Sequence, residues 1–171
     1  MKLARRLRGA AYQAFYRLPL PVRRRVARLV SPKYLVGAVV ILRDSEAIEP
    51  ERMLLLRQPP GTGWGLPAGL LKRHERPAIG AARELFEEAG VTVDPDELTP
   101  GVPNALVHPN GEIVDTVWFG WVPASATDTA VDGGEVLEAA WFPVDGLPQL
   151  TGPTARLLGV YGFGPHAGEQ L

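Results

Sequence analysis

Glu84, Glu87 and Glu88 stand at i, i+3 and i+4. On a helix, at about 100° per residue, they share one face. Carboxylates that close repel one another, and in the C-terminal half of a helix they also oppose the helix dipole. A hard divalent cation would offset both costs, and oxygen ligands at this spacing suit Mg2+, with Mn2+ as the alternative. The chain has no cysteine, and the nearby His74 falls on the loop side, so zinc matches less well. A bound cation could neutralise an anionic substrate, orient it and lower the pKa of a bound water. Taken alone, an E-x-x-E-E run is most often a solvated helix face; its surroundings decide.

The element carrying these residues is a helix over Pro77–Ala89, with proline in its first turn and Gly90 just past its end. Ala78, Ala81, Ala82, Leu85 and Ala89 form a small-residue flank opposite the acids, suited to close packing on a sheet, and Gly80, a poor helix former, points to close backbone approach. Glu75 and Arg83, eight residues apart, can pair and fix the preceding loop to the helix. The sheet is read from apolar, β-branched runs at 36–42, 53–56, 104–108, 113–122 and 136–142. Pro109-Asn110-Gly111 reads as a hairpin turn, 58–65 and 123–134 as loops, Thr151–Val160 as a last helix, and the glycine-rich stretch from Gly162 as a frayed tail. The sum is an α+β domain of mixed strands around one central helix.

Of 171 residues, 46% are apolar and 22% charged, which excludes wholesale disorder and predicts one domain with an appendage. The absence of cysteine fits a reducing cytoplasm, and the longest apolar stretch, Tyr34 to Leu42, is far short of a membrane span. The net charge of −1 conceals a split: residues 1–33 hold ten of the eighteen Lys and Arg and none of the nineteen Asp and Glu, leaving +10 there and −11 in the remainder. This basic stretch reads as two amphipathic helices, 1–18 and about 21–30, separated by Pro19 and Pro21. Arginines interrupt any secretory apolar core. Three roles stay open for the arm: packing on the domain or on a second copy of the chain, lying on an anionic membrane surface, or meeting nucleic acid or the anionic substrate, the least favoured. The domains expected are thus the basic arm 1–33, a main α+β domain 34–160 and a tail 161–171.

The full stretch from Gly69 to Val91 follows the spacing G-x5-E-x7-R-E-(apolar)-x-E-E-x-G-(apolar), filled by Gly69, Glu75, Arg83, Glu84, Leu85, Glu87, Glu88, Gly90 and Val91. A chance match in this length is on the order of one in ten million. The pattern resembles the signature of the Nudix hydrolases. The likeness extends to Trp64-Gly65-Leu66-Pro67-Ala68-Gly69, similar to that family's W-x-L-P-G-G with Ala68 in place of a glycine, and to Trp141-Phe142-Pro143 followed by Leu147-Pro148. The resemblance implies an α/β/α sandwich around a mixed sheet and hydrolysis of a pyrophosphate bond in a nucleoside diphosphate linked to another moiety. It implies that Glu84, Glu87, Glu88 and the Gly69 carbonyl bind Mg2+, that Glu75 and Arg83 form a structural pair, and that the base is Glu84, Glu87 or a glutamate outside the signature, for which Glu135 is the candidate.

Around this core, Arg57 at a strand end could hold a phosphate, Trp64 could stack a base or sugar, and Asp115 on a strand could face the substrate. Residues after the signature do not name the second moiety. Two other readings remain: a catalytically silent module that binds a nucleotide or a protein, and a membrane-surface hydrolase of a lipid-linked diphosphate.

Overall fold

The computed structural model describes residues 2–109 and 111–168, and the chain divides into two compact units, Met1–Lys33 and Tyr34–Leu171. In the first, α1 (Lys2–Arg17) and α2 (Leu20–Val30) are joined through Pro19. Pro21 sits in the first turn of α2, where its missing N–H is not needed, and Ser31 leaves helical geometry ahead of Pro32. The Arg23 guanidinium lies over the rings of Phe15 and Tyr16, 5.4 and 4.7 Å from their centres. No residue of α2 is buried.

The second unit is a mixed seven-stranded sheet between two helices. Its strands are β1 (Leu35–Asp44), β2 (Arg52–Arg57), β3 (Trp64–Gly65), β4 (Ala68–Leu70), β5 (Thr99–Val107), β6 (Ile113–Val122) and β7 (Glu138–Pro143); α3 spans Pro77–Ala89 and α4 Gly152–Val160. The order β3-β2-β1-β6-β5 forms the main path, with β4 also on β1 and β7 on β2. β1 runs parallel to β6 along all ten residues, from Leu35 opposite Ile113 to Asp44 opposite Val122, and antiparallel to β2 and β4.

Strand alternation divides the core in two. Ala38, Val40 and Leu42 of β1, with Leu54 and Leu56 of β2, bury against Ala81, Ala82, Leu85 and Ala89 of α3. Val39, Ile41, Met53 and Leu55 face the other way and bury with Leu66, Val117, Leu157 and Leu158 of the α4 layer. With both faces covered, β1 and β2 carry continuous apolar runs rather than alternation. The family-type α/β/α sandwich implied by the sequence is therefore the observed architecture.

Several boundaries differ from the sequence reading. Trp64–Gly65, inside a stretch read as loop, pairs with Leu56 and Arg57, and Ala68–Leu70 pairs with Gly37 to Val39. Strands of two and three residues exist here because a neighbouring edge offers hydrogen bonds, which local composition does not register. β5 starts at Thr99 rather than Asn104, because Thr99 and Pro100 pair with Phe119 and Trp118 before a register shift. β7 starts at Glu138 because Val136 drops into the α3 core. At the start of the tail expected to fray from Gly162, Phe163 lies on the α4 core beside Tyr161, whose ring meets Phe119 edge-on at 5.3 Å, while Gly162, Pro165, Ala167 and Gly168 are exposed. Asn110 of the expected hairpin turn and residues 169–171 lie outside the described residues.

Candidate functional site

The apolar flank of α3 fixes where its acidic face points. With Ala81, Ala82, Leu85 and Ala89 committed to the sheet, the glutamates face β4 and the loop that follows it. The helix ends at Gly90, whose left-handed φ of 71° closes the last turn on the Phe86 carbonyl. Gly80 permits close approach: a Cβ there would run into the Leu71 side chain and come within 3.1 Å of a Glu75 oxygen.

Arg83 organises this face. Its Nε and Nη2 donate to the two Glu75 oxygens at 2.8 and 3.0 Å, a forked pair. Nη2 also reaches the Leu70 carbonyl at 3.2 Å. Nη1 donates to Glu84 Oε1 and Glu87 Oε2, each at 2.7 Å. Glu75 further accepts from the Lys72 backbone N–H at 2.7 Å. The Arg83 guanidinium, aided by that amide, holds the Glu75 carboxyl down at about 2, and the same pairing keeps Arg83 firmly protonated. The more exposed Glu87 is also held low, by Arg83 and then by Lys72, whose Nζ is 3.3 Å away.

Glu88 turns inward. Its carboxylate accepts from Gln58 Nε2 at 2.7 Å and from the Ala68 N–H at 2.8 Å, and the residue is only 9% exposed. Burial pushes its carboxyl up to about 7, and the charges of Glu84 and Glu135 push the same way, against the two hydrogen bonds. Two further acidic groups therefore bear on Glu88: Glu84 and, from the far loop, the exposed Glu135.

These residues suit a hard divalent cation. The Glu84 carboxylate lies directly over the Gly69 backbone, where any Cβ would overlap it, so the glycine leaves the main-chain carbonyl region and the carboxylate in mutual reach. A buried carboxyl destabilised in its ionised form beside two other acids is what a cation relieves. Among the described residues no three such groups already form a close cage; Arg83 Nη1 instead bridges Glu84 and Glu87.

The remaining candidates fall elsewhere. Arg57 pairs with Glu138 at 2.6 Å across β2 and β7 and lies 5.8 Å from the Trp64 ring centre. Trp64 packs on the α4 core, edge-on to Phe142 at 4.6 Å. Asp115 shares the register of Gly37 and so projects to the α4 side of the sheet, where its Oδ2 is 2.5 Å from His108 Nε2. The structure thus gathers Gly69, Glu75, Arg83, Glu84, Glu87, Glu88 and Glu135, and sets Arg57, Trp64 and Asp115 on the other face of the sheet. Sequence reasoning missed Gln58, Lys72 and the Ala68 N–H. Gln58 and Lys72 hold no fixed place in the signature, Ala68 only takes a glycine's place in the run before it, and each reaches the glutamates through the β2, β4 and α3 packing. Ala68 itself is accommodated because its side chain packs on the α4 core.

Comparison with known proteins bears on the family and the fold. The NUDIX domain family model matches residues 33–158. A MutT-like protein of Streptomyces ambofaciens is 41% identical over 64 residues, 37% of this chain and 38% of that protein, so the chain spans well under half of that curated relative. The crystal structure of a MutT NUDIX hydrolase from Burkholderia pseudomallei superposes with a TM-score of 0.57 at 26% identity, covering 73% of this chain and 95% of that one. A bifunctional NMN adenylyltransferase/ADP ribose pyrophosphatase from Francisella tularensis, complexed with AMP and a Mn ion, shares the fold with a TM-score of 0.57 at 16% identity, covering 81% of this chain and 44% of that one. With Glu75, Arg83, Glu84, Glu87 and Glu88 of the signature brought together beside β4 and the family model matching most of the chain, the protein belongs to the Nudix hydrolase family.

Proposed function

We propose that the chain is a Mg2+-dependent pyrophosphohydrolase acting on a nucleoside diphosphate linked to another moiety, with Mn2+ able to replace Mg2+. The observation that carries this reading is the Glu88 carboxyl, buried beside Glu84 and Glu135 and pushed up to about 7. Placing an ionisable group under that stress is costly unless a cation is its partner. Glu84, Glu87, Glu88 and the Gly69 carbonyl would hold the metal. When bound, it neutralises diphosphate oxygens and acidifies a water.

The chain's own groups do the positioning. Gln58 and the Ala68 N–H hold Glu88, and Arg83 holds Glu84 and Glu87. Glu87, held low by two cations, is a weak proton acceptor. Glu135 is exposed and close enough to act on Glu88, which makes it the better base for an attacking water. The test is a substrate panel of nucleoside triphosphates, sugar nucleotides, ADP-ribose and dinucleotide polyphosphates, run with Mg2+ or Mn2+ in 18O-labelled water. The expected result is metal-dependent release of a nucleotide with label on one phosphorus. No hydrolysis of any member would leave a silent binding module instead.

A further inference from the structure

We propose that the two-helix unit of residues 1–33 is a docking surface for a bilayer rich in anionic phospholipid. The inference is independent of the hydrolytic reading. Three features of this unit carry it.

The first is charge. Ten cationic side chains and no acidic one occupy the unit, so it contains no carboxylate to neutralise them. Arg24, Arg25 and Arg28, with Leu20 and Pro21, line a shallow hollow on α2. Guanidinium groups grouped around a hollow suit phosphate oxygens.

The second is apolar exposure. Leu7 on α1 and Leu29 and Val30 on α2 are 63%, 84% and 76% exposed. On α2, Val22, Val26, Leu29 and Val30 occupy one side, while Arg24, Arg25 and Arg28 occupy the other. Tyr12 and Tyr16 are exposed as well, and tyrosine suits the level of lipid headgroups.

The third is the length and form of the helices. Neither is long and apolar enough to cross a membrane, but short amphipathic helices with a cationic side and an apolar side lie in the plane of an interface. A nucleic acid complements the charge alone and offers no acceptor for Leu7, Leu29 and Val30. An anionic bilayer complements both.

The test is co-sedimentation of the full-length protein with vesicles of phosphatidylcholine alone, or of phosphatidylcholine with about one third phosphatidylglycerol. Binding to the anionic vesicles should exceed binding to the neutral ones by about ten-fold or more at low salt and fall as salt shortens the screening length. The triple variant R24E/R25E/R28E should abolish it. The double variant L7S/L29S should weaken it about ten-fold with all ten charges kept. Far-UV circular dichroism and nucleotide hydrolysis should match wild type in both variants. Equal binding to both vesicle types, or binding to neither, overturns the proposal. So does unchanged vesicle binding by L7S/L29S, and so does salt-sensitive binding to duplex DNA that exceeds binding to the anionic vesicles.

Discussion

Arg83 and Glu84 are neighbours both in the chain and in space: Arg83 Nη1 lies 2.7 Å from Glu84 Oε1. The same nitrogen reaches Glu87, and the other two guanidinium nitrogens reach Glu75. One planar cation thus ties the loop before α3 to the acidic face of the helix. Arg83→Lys keeps the charge but cannot span these three carboxylates with one rigid fork. Turnover should fall about ten- to hundred-fold, with a higher Mg2+ concentration needed for half-maximal rate and unchanged circular dichroism. A metal titration of the rate checks this; an Arg83→Lys enzyme with wild-type Mg2+ dependence contradicts it.

Gly69 is the second sensitive point. A methyl group there would occupy the space of the Glu84 carboxylate, yet Gly69 lies in a short strand that alanine tolerates. Gly69→Ala should fold normally and lose about a hundred-fold in turnover, because the carboxylate must move by about an ångström or more. Thermal melting and steady-state rates measured on the same sample separate the two effects.

The Glu75–Arg83 pair has a distinct signature in acid. The Glu75 carboxyl is held at about 2, below its ordinary 4.5. The unfolded chain therefore takes up this proton at higher pH than the folded one. The pair's contribution to stability is complete above pH 4.5 and is lost as pH falls through 2. Glu75→Gln should cost about 2 kcal/mol at neutral pH and flatten the decline of stability in that acid window. Urea unfolding at a series of pH values reads both; a parallel decline in variant and wild type would refute the assignment.

What the sequence disclosed about the site depended on how local each relation is. Glu84, Glu87 and Glu88 lie on one helix, and the apolar spacing of Ala81, Ala82, Leu85 and Ala89 turns that helix, so their common direction follows from periodicity. Glu75 and Arg83 are eight residues apart across a tight loop, again a short-range relation. Gln58 and the Ala68 N–H meet Glu88 from 30 and 20 residues away, through strands whose pairing no local pattern encodes. Asp115 shows the converse. Its strand was legible, but which face it takes depends on the parallel register with Gly37, where a one-residue slip reverses every side chain. Trp64 illustrates the ordinary fate of strand aromatics, packing on Phe142 in the core.

Glu88 permits function and stability to be separated with one atom's change. Its two oxygens accept from Gln58 Nε2 and the Ala68 N–H. In Glu88→Gln, the new amide oxygen can accept from Ala68 and the new NH2 can donate to Gln58, provided the Gln58 amide turns over to present its oxygen. Both buried hydrogen bonds survive, and a carboxyl whose ionisation burial opposes is replaced by a neutral group of the same shape. The variant should therefore match wild-type stability within about 1 kcal/mol without added metal, while Mg2+-dependent turnover falls by about a hundred-fold or more. Added Mg2+ should raise the melting temperature of wild type and leave the variant nearly unchanged. Pairing Glu88→Gln with Gln58→Ala removes the acceptor for that NH2, so the double variant should melt well below Glu88→Gln; equal melting would show that Gln58 does not hold this side chain.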